Sequence, residues 1–323
     1  MNLPVVVDLP LTTSFRGLMR RRAVLWEGPA GWTEWSPFEE YDDQEAGRWL
    51  RAAVEAATQP PPPPVRSEVE VNVIIPAMAP DAAARRVRES GCTTAKVKVA
   101  HPGDSLDGDV ARVAAVRQAL GPQGRLRVDA NTAWSPAEAV EALAELSQFH
   151  LEYAEQPVAG VEGLRQVRRE LDARGVAVPL AADESIRRSR EPLSVRDVAD
   201  VAILKAQPLG GITRCLDLAE QLGLPVVVSS ALETSVGLRT GVALAASLPE
   251  LPMACGLQTG TLFARDVTTS PLVPVGGRIA LRDVAVDALD QVRAPDDVAA
   301  WWIDRLHRVA AQFGSLEKMM EAS

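Results

Sequence analysis

Three of the four lysines in the chain lie in apolar stretches that resemble buried strands. Lys96 and Lys98 fall in the segment TTAKVKVA and Lys205 in DVAILKAQ, although the 34 lysines and arginines of the chain are otherwise almost all arginines. Alternation along a strand puts Lys96 and Lys98 on the same face. A buried lysine can give up its proton, whereas an arginine stays protonated at any working pH. The residue type therefore points to proton transfer at these positions.

Three acidic residues follow neighbouring strand candidates at matching positions. Asp129 lies in RLRVDAN, Glu155 in LEYAEQP and Asp183 in PLAADES. Carboxylates that point at one axis in a partly dry site repel one another, so they should take up protons or bind a cation. Oxygen ligands without His or Cys favour a hard ion, and this set suits Mg²⁺ better than Zn²⁺. The alternative is that each acid caps the helix that follows it, as Asp129 could before Asn131.

The lysines lie on either side of this predicted metal site, with Lys98 on the strand before the acids and Lys205 on the strand after them. A lysine that is near other cations and out of water has a lowered pKa and can accept a proton near neutral pH. A metal that binds a carboxylate holds the charge that develops when the adjacent carbon loses its proton. The residues thus predict proton abstraction next to a carboxylate. The alternative is that the lysines only form ion pairs with the acids, a role we expect for Lys96.

Eight strand candidates alternate with helical stretches in the part of the chain that carries these residues. No Gly-x-Gly-x-x-Gly or Walker-type loop is present, which disfavours a nucleotide-binding open sheet. The pattern predicts an α/β fold, a TIM-type (β/α)₈ barrel whose active site lies at the C-terminal ends of the strands. Polar landmarks at those ends are separated by 22 to 31 residues, the length of one βα unit, and they are Lys98, Asp129, Glu155, Asp183, Lys205, Ser230 and Gly256.

The chain is expected to have three segments. Residues 1–66 form a small α+β capping domain, with strands in VVVDLPL and RRAVLWEG, a polar connection TTSFRGLMR between them, and a helix in DDQEAGRWLRAAVEAATQ. The prolines at 60–64 end that helix and make an extended connector. Residues 67–276 are the predicted barrel, and residues 277–323 return to the barrel and the cap. A mobile loop near residues 12–17 is expected to close over the site as a lid.

Composition and charge argue against several classes of function. The net charge of −9 disfavours nucleic acid and anionic membranes as partners. No apolar run approaches the roughly 20 residues of a membrane span, and the first residues lack the basic region of a secretory signal. Cys92, Cys215 and Cys255 are odd in number and widely spaced, which predicts buried thiols. We expect a cytoplasmic enzyme that acts on a small-molecule substrate. The sequence does not predict its oligomeric state, and a monomer is compatible with it.

The same residues carry a resemblance to a known family. The Lys-x-Lys of AKVKV, the triplet Asp129, Glu155 and Asp183, and Lys205 resemble the enolase superfamily, in particular its muconate-lactonizing subgroup. Sites of that superfamily use a Lys or His base with Mg²⁺. Within the subgroup the chain is similar, from its N-terminal cap to its C-terminal segment, to the o-succinylbenzoate synthase family, through the motifs RVDAN, EYAEQP, ADES, ILKAQPLGG, SSALETSVGL and GLQTGTLF.

The resemblance implies a Mg²⁺-dependent lyase of menaquinone (vitamin K2) biosynthesis. Its reaction is the syn dehydration of 2-succinyl-6-hydroxy-2,4-cyclohexadiene-1-carboxylate to 2-succinylbenzoate through an enediolate. Asp129, Glu155 and Asp183 would bind the metal. Lys98 would remove the proton and then protonate the departing hydroxide, while Lys205 stays cationic on the other face; the assignment of these two roles stays open. Substrate-binding or supporting roles would fall to Lys96, Arg127, Asn131, Ser229, Ser230, Gly256, Thr259 and Gly260.

Other functions remain open at this point. Racemisation of N-acylamino acids and cycloisomerisation of muconate would use the same scaffold and the same two lysines. The stretch GLQTG lacks the Asp-x-Asp with which dipeptide epimerases hold a substrate ammonium, which disfavours that activity. A Schiff-base aldolase also places a lysine at a barrel strand end but has no use for three converging carboxylates. A barrel with a purely structural or protein-binding role leaves the placement of the lysines unexplained.

Overall fold

The structure is a computed structural model that describes residues 3–322, without the side chain of residue 322. Residues 1–2 and 323, the outer ends of the first and last predicted segments, lie outside the described residues. The first segment folds into a three-stranded antiparallel sheet and one helix: β1 (Val5–Phe15), β2 (Leu18–Gly28), β3 (Gly31–Trp35) and α1 (Asp43–Thr58). The side chain of Asp42 caps α1 by accepting a hydrogen bond from the amide of Glu45. The two predicted strands and the predicted helix are confirmed, whereas β3 was not predicted.

The predicted connection TTSFRGLMR is largely strand. Only Arg16 and Gly17 lie between β1 and β2, and both have positive φ, as a two-residue hairpin turn requires. The polar residues of this stretch lie on a partly exposed ribbon, where threonine is well accommodated in a strand. The predicted lid at residues 12–17 is therefore the end of a β-hairpin rather than an irregular loop.

Within the described residues, a sheet of seven parallel strands carries the predicted site, from β5 (Val73–Ile75) at one edge to β11 (Val226–Val228) at the other. Each strand pairs with the next one along the chain. Each of them corresponds to one of the strand candidates. The segment VEVNVIIPA is divided between β4, which lies outside this sheet, and β5. The elements are β4 (Glu68–Glu70), β5 (Val73–Ile75), α2 (Pro80–Ser90), β6 (Thr94–Lys98), α3 (Leu106–Leu120), β7 (Arg125–Asp129), α4 (Pro136–Leu146), β8 (Leu151–Glu155), α5 (Gly160–Ala173), β9 (Leu180–Ala182), α6 (Glu184–Arg187), β10 (Val201–Leu204), α7 (Ala206–Leu209), α8 (Ile212–Leu222), β11 (Val226–Val228) and α9 (Ser235–Ser247).

The eighth predicted strand, MACGLQTG, is wrong as a regular strand. The amide of Cys255 donates to the carbonyl of Glu70 at 2.7 Å, and the amide of Gly256 donates to the carbonyl of Val228 at 2.8 Å. These two residues thereby bridge Val71, which precedes β5, and Ser229, which follows β11, and they close the barrel. The segment is short because Pro252 has no amide hydrogen and because a 3₁₀ turn follows at Gln258–Leu262. The barrel prediction holds with a two-residue bridge in the eighth position.

The chain then returns to the barrel and to the cap. β12 (Arg278–Ala280) pairs with β4 in antiparallel orientation, and α10 (Asp296–Ala311) and α11 (Leu316–Ala322) follow. Trp302 of α10 packs edge to face against Trp35 of the cap with ring centroids 5.7 Å apart. The apolar face of α10 and the cap thus form one core. Among residues 3–322, no helix combines the length and the apolar character that crossing a membrane requires.

Candidate active site

The strand register brings the five predicted catalytic and metal-binding residues together. Lys98 of β6 lies opposite Asp129 of β7, and Asp129 lies opposite Glu155 of β8. Asp183 directly follows β9 and Lys205 directly follows β10. Because the C-terminal ends of parallel strands meet at one end of a barrel, all five residues lie around a single opening.

Lysines neutralise the first two carboxylates. The Lys96 Nζ lies 2.8 Å from Glu155 Oε2 and 3.3 Å from Asp129 Oδ2, and the Lys98 Nζ lies 2.5 Å from Asp129 Oδ2. Both carboxylates are buried. Asp129 Oδ1 also accepts a hydrogen bond from the amide of Asn131 at 3.0 Å, so this acid supports the local turn as well. Asn131 Oδ1 in turn accepts a hydrogen bond from Lys98 at 2.6 Å.

The third carboxylate has two basic partners. Asp183 lies 2.6 Å from the Lys205 Nζ through Oδ2 and 3.2 Å from the Arg187 Nε through Oδ1. Arg187 also donates to the hydroxyl of Tyr41 at 3.1 Å, which links this acid to the cap. Within the described residues, Asp183 does not cap α6 through its side chain, so the capping alternative does not explain it.

All three lysines thus form ion pairs with the acids, as the alternative raised from the sequence proposed. With the carboxylates engaged in this way, no three His, Cys, Asp or Glu side chains of residues 3–322 lie in an arrangement that could hold a metal ion. A cation at this place would replace lysine ammonium groups as the partner of the carboxylates.

The donor set nevertheless fits a hard divalent cation. Among the described residues, Glu155 Oε1 is a buried oxygen without a hydrogen-bond partner. Burial and the neighbouring carboxylate of Asp129 raise the pKa of Glu155 to about 7. An unpartnered buried carboxylate oxygen is open to a further ligand, and oxygen donors alone are what Mg²⁺ takes. Asp129, Glu155 and Asp183 are therefore the residues that could hold the metal.

The two lysines of β6 have opposite pKa shifts. Burial alone would lower the pKa of Lys96, but the carboxylates of Glu155 and Asp129 outweigh it and the pKa of Lys96 is raised. For Lys98 burial is the largest effect and Lys96 adds repulsion, so the pKa of Lys98 is lowered in spite of Asp129. Lys98 is consequently suited to exchange a proton, whereas Lys96 stays cationic.

The site opens onto two adjoining cavities. The smaller cavity, about 40 Å³, lies over the carboxylates and is lined by residues that include Lys96, Lys98, Asp129, Asn131, Lys205, Ser229, Ser230, Gly256 and Thr259. The larger cavity, about 750 Å³, shares Lys98 and Asn131 and extends between the hairpin tip and the loops after β5 and β6. The smaller cavity has room for a few waters only, while the larger cavity is in the size range of small-molecule sites. An organic substrate is too large for the smaller cavity alone, so it would extend from there into the larger cavity, and Lys98 faces both.

Four of the predicted supporting residues form one wall of the smaller cavity. The hydroxyl of Ser230 lies 2.7 Å from that of Thr259 and 3.1 Å from the carbonyl of Gly256. A Cβ at Gly256 would lie 2.5 Å from the Ser229 Oγ, so a larger side chain at this position would displace the serine. This wall offers hydroxyl groups opposite the lysines.

Two predicted supporting residues lie away from both cavities. Arg127 is fully buried in the barrel, where it donates to Glu152 at 2.6 Å and to Asn72 at 3.1 Å. It shares a strand face with Asp129 but lies two residues deeper. Gly260 packs against the chain after the barrel, since a Cβ there would lie 3.0 Å from the carbonyl oxygen of Leu272. Arg127 and Gly260 line neither cavity, and the substrate-binding or supporting role expected for them stays a prediction.

Sequence reasoning expected residues 12–17 of the cap at the site but missed the aromatic residues of the cap that follow them. Aromatic residues of the cap line the smaller cavity, together with Arg16, whose guanidinium stacks 4.1 Å above the Phe38 ring. Four of the 14 aromatic residues of the chain lie in GWTEWSPFEEY, and this clustering was the available signal. Glu184 and Arg187 also line the smaller cavity, and they lie on the short helix after Asp183. The cavity-lining residues of the cap are Phe15, Arg16, Phe38, Tyr41 and Trp49.

Known proteins resemble the chain over nearly its whole length. Residues 79–285 match the family model described as enolase C-terminal domain-like, and residues 6–57 match the model described as enolase N-terminal domain-like. The o-succinylbenzoate synthase of Thermobifida fusca (strain YX) is 55% identical over 295 residues, which are 91% of this chain and 92% of the relative.

Solved structures share the fold at low identity. The N-succinyl Arg/Lys racemase from Bacillus cereus ATCC 14579 superposes with a TM-score of 0.76 and 21% identity, over 90% of this chain and 97% of the other. The dipeptide epimerase from Enterococcus faecalis V583, in complex with Mg and the dipeptide L-Leu-L-Tyr, gives a TM-score of 0.70 and 21% identity over 90% and 98%. At this identity the likeness concerns the fold alone.

Proposed function

The chain belongs to the enolase superfamily and, within it, to the o-succinylbenzoate synthase family, and on this basis we propose that it is a lyase that dehydrates 2-succinyl-6-hydroxy-2,4-cyclohexadiene-1-carboxylate to 2-succinylbenzoate. The observation that carries the proposal is 55% identity to an o-succinylbenzoate synthase over 91% of the chain. The product is an intermediate of menaquinone biosynthesis. The site chemistry fits, because lysines flank a buried group of carboxylates at a small-molecule cavity.

Lys98 supplies the proton transfers of this reaction. Its lowered pKa and its position facing both cavities suit it to take the proton from the ring carbon that bears the carboxylate. The electron pair of that C–H bond passes through the enediolate and becomes a ring double bond as the C–O bond to the hydroxyl group breaks. The protonated Lys98 gives its proton to the departing hydroxide on the same face. The products are water and the aromatic ring, which is a syn elimination.

Lys205 acts as a fixed cation on the opposite face. Its ammonium lies 2.6 Å from Asp183, and it lines the smaller cavity across from Lys98. A positive charge there stabilises the negative charge that develops on the substrate carboxylate when the proton leaves. The Ser230 and Thr259 hydroxyls are placed to bind the succinyl chain.

We propose Asp129, Glu155 and Asp183 as ligands of a divalent cation, with Mg²⁺ favoured by their oxygen donors. When bound, the cation would supply Lewis-acid compensation for charge on the substrate carboxylate. Lys96, with its raised pKa, keeps a permanent positive charge between Glu155 and Asp129. The unpartnered Glu155 Oε1 supports the assignment.

Turnover of two substrates in parallel tests the function. The purified protein with Mg²⁺ is given the cyclohexadiene substrate in one reaction and an N-succinylamino acid of defined chirality in the other. We expect dehydration to be much faster than racemisation. The dehydration rate is measured from the ultraviolet absorbance of the aromatic product. Strong racemisation with weak dehydration would replace the proposal by an N-acylamino acid racemase on the same scaffold.

We also propose that the reaction takes place in the cytoplasm. Cys92, Cys215 and Cys255 are buried free thiols, the state in which a reducing compartment keeps cysteine. The substrate is a small molecule, and it binds in the smaller and larger cavities at the barrel opening.

A further inference from the structure

A second ionic cluster lies directly behind the strand that carries Lys98. Arg112 and Asp109 of α3 are 4% and 2% exposed, respectively. The guanidinium of Arg112 pairs with the carboxylate of Asp109 and lies 3.1 Å from the carboxylate of Asp104. Burying an ion pair costs desolvation energy that the pair itself does not reliably return. The cluster therefore calls for a role beyond stability.

The remaining hydrogen bonds of Arg112 go to backbone carbonyls beside the active site. Its Nη2 donates to the carbonyl of Lys98 at 3.2 Å, and its Nη1 donates to the carbonyl of Met78 at 3.3 Å. Met78 belongs to the loop after β5, so a single guanidinium joins two neighbouring strand ends. Arg112 also lines the larger cavity next to Lys98.

Asp109 fixes the backbone two residues further along. Its Oδ2 accepts a hydrogen bond from the amide of Ala100 at 2.8 Å. Ala100 has a φ of 58°, in the left-handed region that is unfavourable for a residue with a side chain. The amide of Val99 donates to the carbonyl of Asp129 at 3.1 Å. Each of the residues 98–100 thus has one backbone group in a hydrogen bond. Arg112 binds the Lys98 carbonyl and Asp109 binds the Ala100 amide, so the cluster supplies two of these three bonds.

We propose that Arg112, together with Asp109, is a positioning residue for Lys98. β6 ends at Lys98, and the Val99 amide is held by Asp129 of β7, whereas the Lys98 carbonyl and the Ala100 amide are held by Arg112 and Asp109. Arg112 and Asp109 hold that strand end, and they thereby keep the Lys98 Nζ within reach of the substrate carbon. The inference rests on the proposed function of Lys98 as the proton-transferring residue. A misplacement of about 1 Å at a reacting group can cost about 100-fold in rate.

Arg112→Met tests this inference, with Arg117→Met as the matched control. Arg117 lies on the same helix and also donates to backbone carbonyls, those of Phe149, Gly121, Gly124 and His150, but at the opposite end of the barrel. We expect Arg112→Met to lower kcat by about 30- to 100-fold with KM changed by less than about threefold. Arg117→Met should lower the melting temperature but leave kcat within about threefold of wild type.

A primary deuterium isotope effect separates positioning from general damage. The substrate is deuterated at the ring carbon that loses its proton. If Arg112 positions the base, proton abstraction becomes slower relative to the other steps, so the isotope effect on kcat should rise in Arg112→Met and stay unchanged in Arg117→Met. Equal kcat losses in the two variants, or an unchanged isotope effect in Arg112→Met, would overturn the inference.

Two milder variants keep the test decisive if Arg112→Met does not fold. Arg112→Lys retains a cation and should recover part of the rate, with a kcat loss of about tenfold, while Asp109→Asn removes the ion pair and should also slow kcat. Wild-type kcat and isotope effect in both variants would overturn the inference. A wild-type protein without turnover of the cyclohexadiene substrate would instead contradict the proposed function, so the two failures are distinguishable.

Discussion

Lys98 and Lys205 differ in the groups that surround their ammonium ions. Lys98 contacts Asp129 and Asn131, and its pKa is lowered by burial and by repulsion from Lys96. Lys205 contacts Asp183, which also binds Arg187. Arginine provides a positive charge but does not give up a proton. It can therefore replace a lysine that only has to stay charged, but not a lysine that has to lose its proton.

We therefore expect Lys98→Arg to lower kcat by at least about 1,000-fold and Lys205→Arg to lower it by only about 10- to 100-fold. Steady-state dehydration measurements on the two variants, each checked for folding by circular dichroism, compare these losses directly. A dehydration rate that falls equally in both variants would mean that both lysines transfer protons, as a racemase requires.

The sequence was sufficient to predict which charged residues lie together at the barrel opening, because the evidence for their placement is local. Alternation within TTAKVKVA puts Lys96 and Lys98 on one face, and the position of an acid at a strand end can be read without knowing the fold. How far below the barrel opening Arg127 lies could not be predicted in this way. It depends on how far each strand reaches into the barrel, and the parity of residues along a strand carries no information on depth.

At the scale of elements, the connection between β11 and α9 is held by the cap. Arg21 of β2 donates to the carbonyl of Leu232 at 3.0 Å, and Glu34 of β3 accepts hydrogen bonds from the amides of Thr234 and Gly237 at 3.0 and 3.1 Å. Glu34 thus binds the N-terminus of a helix of the barrel, where a negative charge is favoured. The same connection includes Ala231, which lines the smaller cavity. The cap and one wall of the site are therefore joined by buried charges.

Glu233 in this connection provides a prediction on pH. Burial and the nearby Glu34 raise the pKa of Glu233 to about 7, above the usual value of about 4.3 for a glutamate in an unfolded chain. The folded state then binds the proton more tightly than the unfolded state. Stability is lost as the pH rises from about 4.5 through about 7, by at most about 4 kcal/mol from this group.

Glu233→Gln removes this titration and keeps an oxygen that can accept the hydrogen bond that the amide of Ala231 donates at 2.7 Å. We expect the stability of the variant relative to wild type to increase by about 2 kcal/mol between about pH 5 and about pH 8, measured by urea unfolding. Glu250→Gln, at an exposed position, should show no such change. A difference between variant and wild type that is constant with pH would show that Glu233 titrates alike in both states.

Elements with strong local signals were predicted correctly, while those set by tertiary pairing were not. α1 has an N-cap aspartate and apolar residues at helical spacing, and these signals are local. The strand character of Thr12–Phe15 depends on pairing with β2, and the reduction of the eighth strand to Cys255 and Gly256 depends on which edges remain to be joined. Neither fact is contained in the local sequence.

At the scale of the whole molecule, the cap is fixed to the barrel from two sides. On one side Glu34 and Arg21 bind the start of α9. On the other, Trp302 and Leu306 of α10 share a core with Trp35 and Trp49 of the cap. The cap therefore shares one core with α10 and holds aromatic residues over the barrel opening, and Arg16 at the hairpin tip lines both cavities. Sequence reasoning predicted that residues 277–323 return to the cap, but it did not predict which of their side chains pack there, since no local pattern specifies the partners of a helix face.

The metal binding proposed for the carboxylates at the barrel opening would be linked to the stability of the whole fold. A ligand that binds only the folded state stabilises it, by about 2.7 kcal/mol at a concentration 100 times its dissociation constant. For a domain of this size that corresponds to a rise of several degrees in melting temperature. Protein stripped with EDTA should lose dehydration activity, and added Mg²⁺ should restore it together with the higher melting temperature. Glu155→Gln should abolish both responses, whereas Glu162→Gln, which removes the same charge at an exposed position, should retain both. A melting temperature that rises equally with Mg²⁺ in Glu155→Gln would mean that the cation binds elsewhere on the protein.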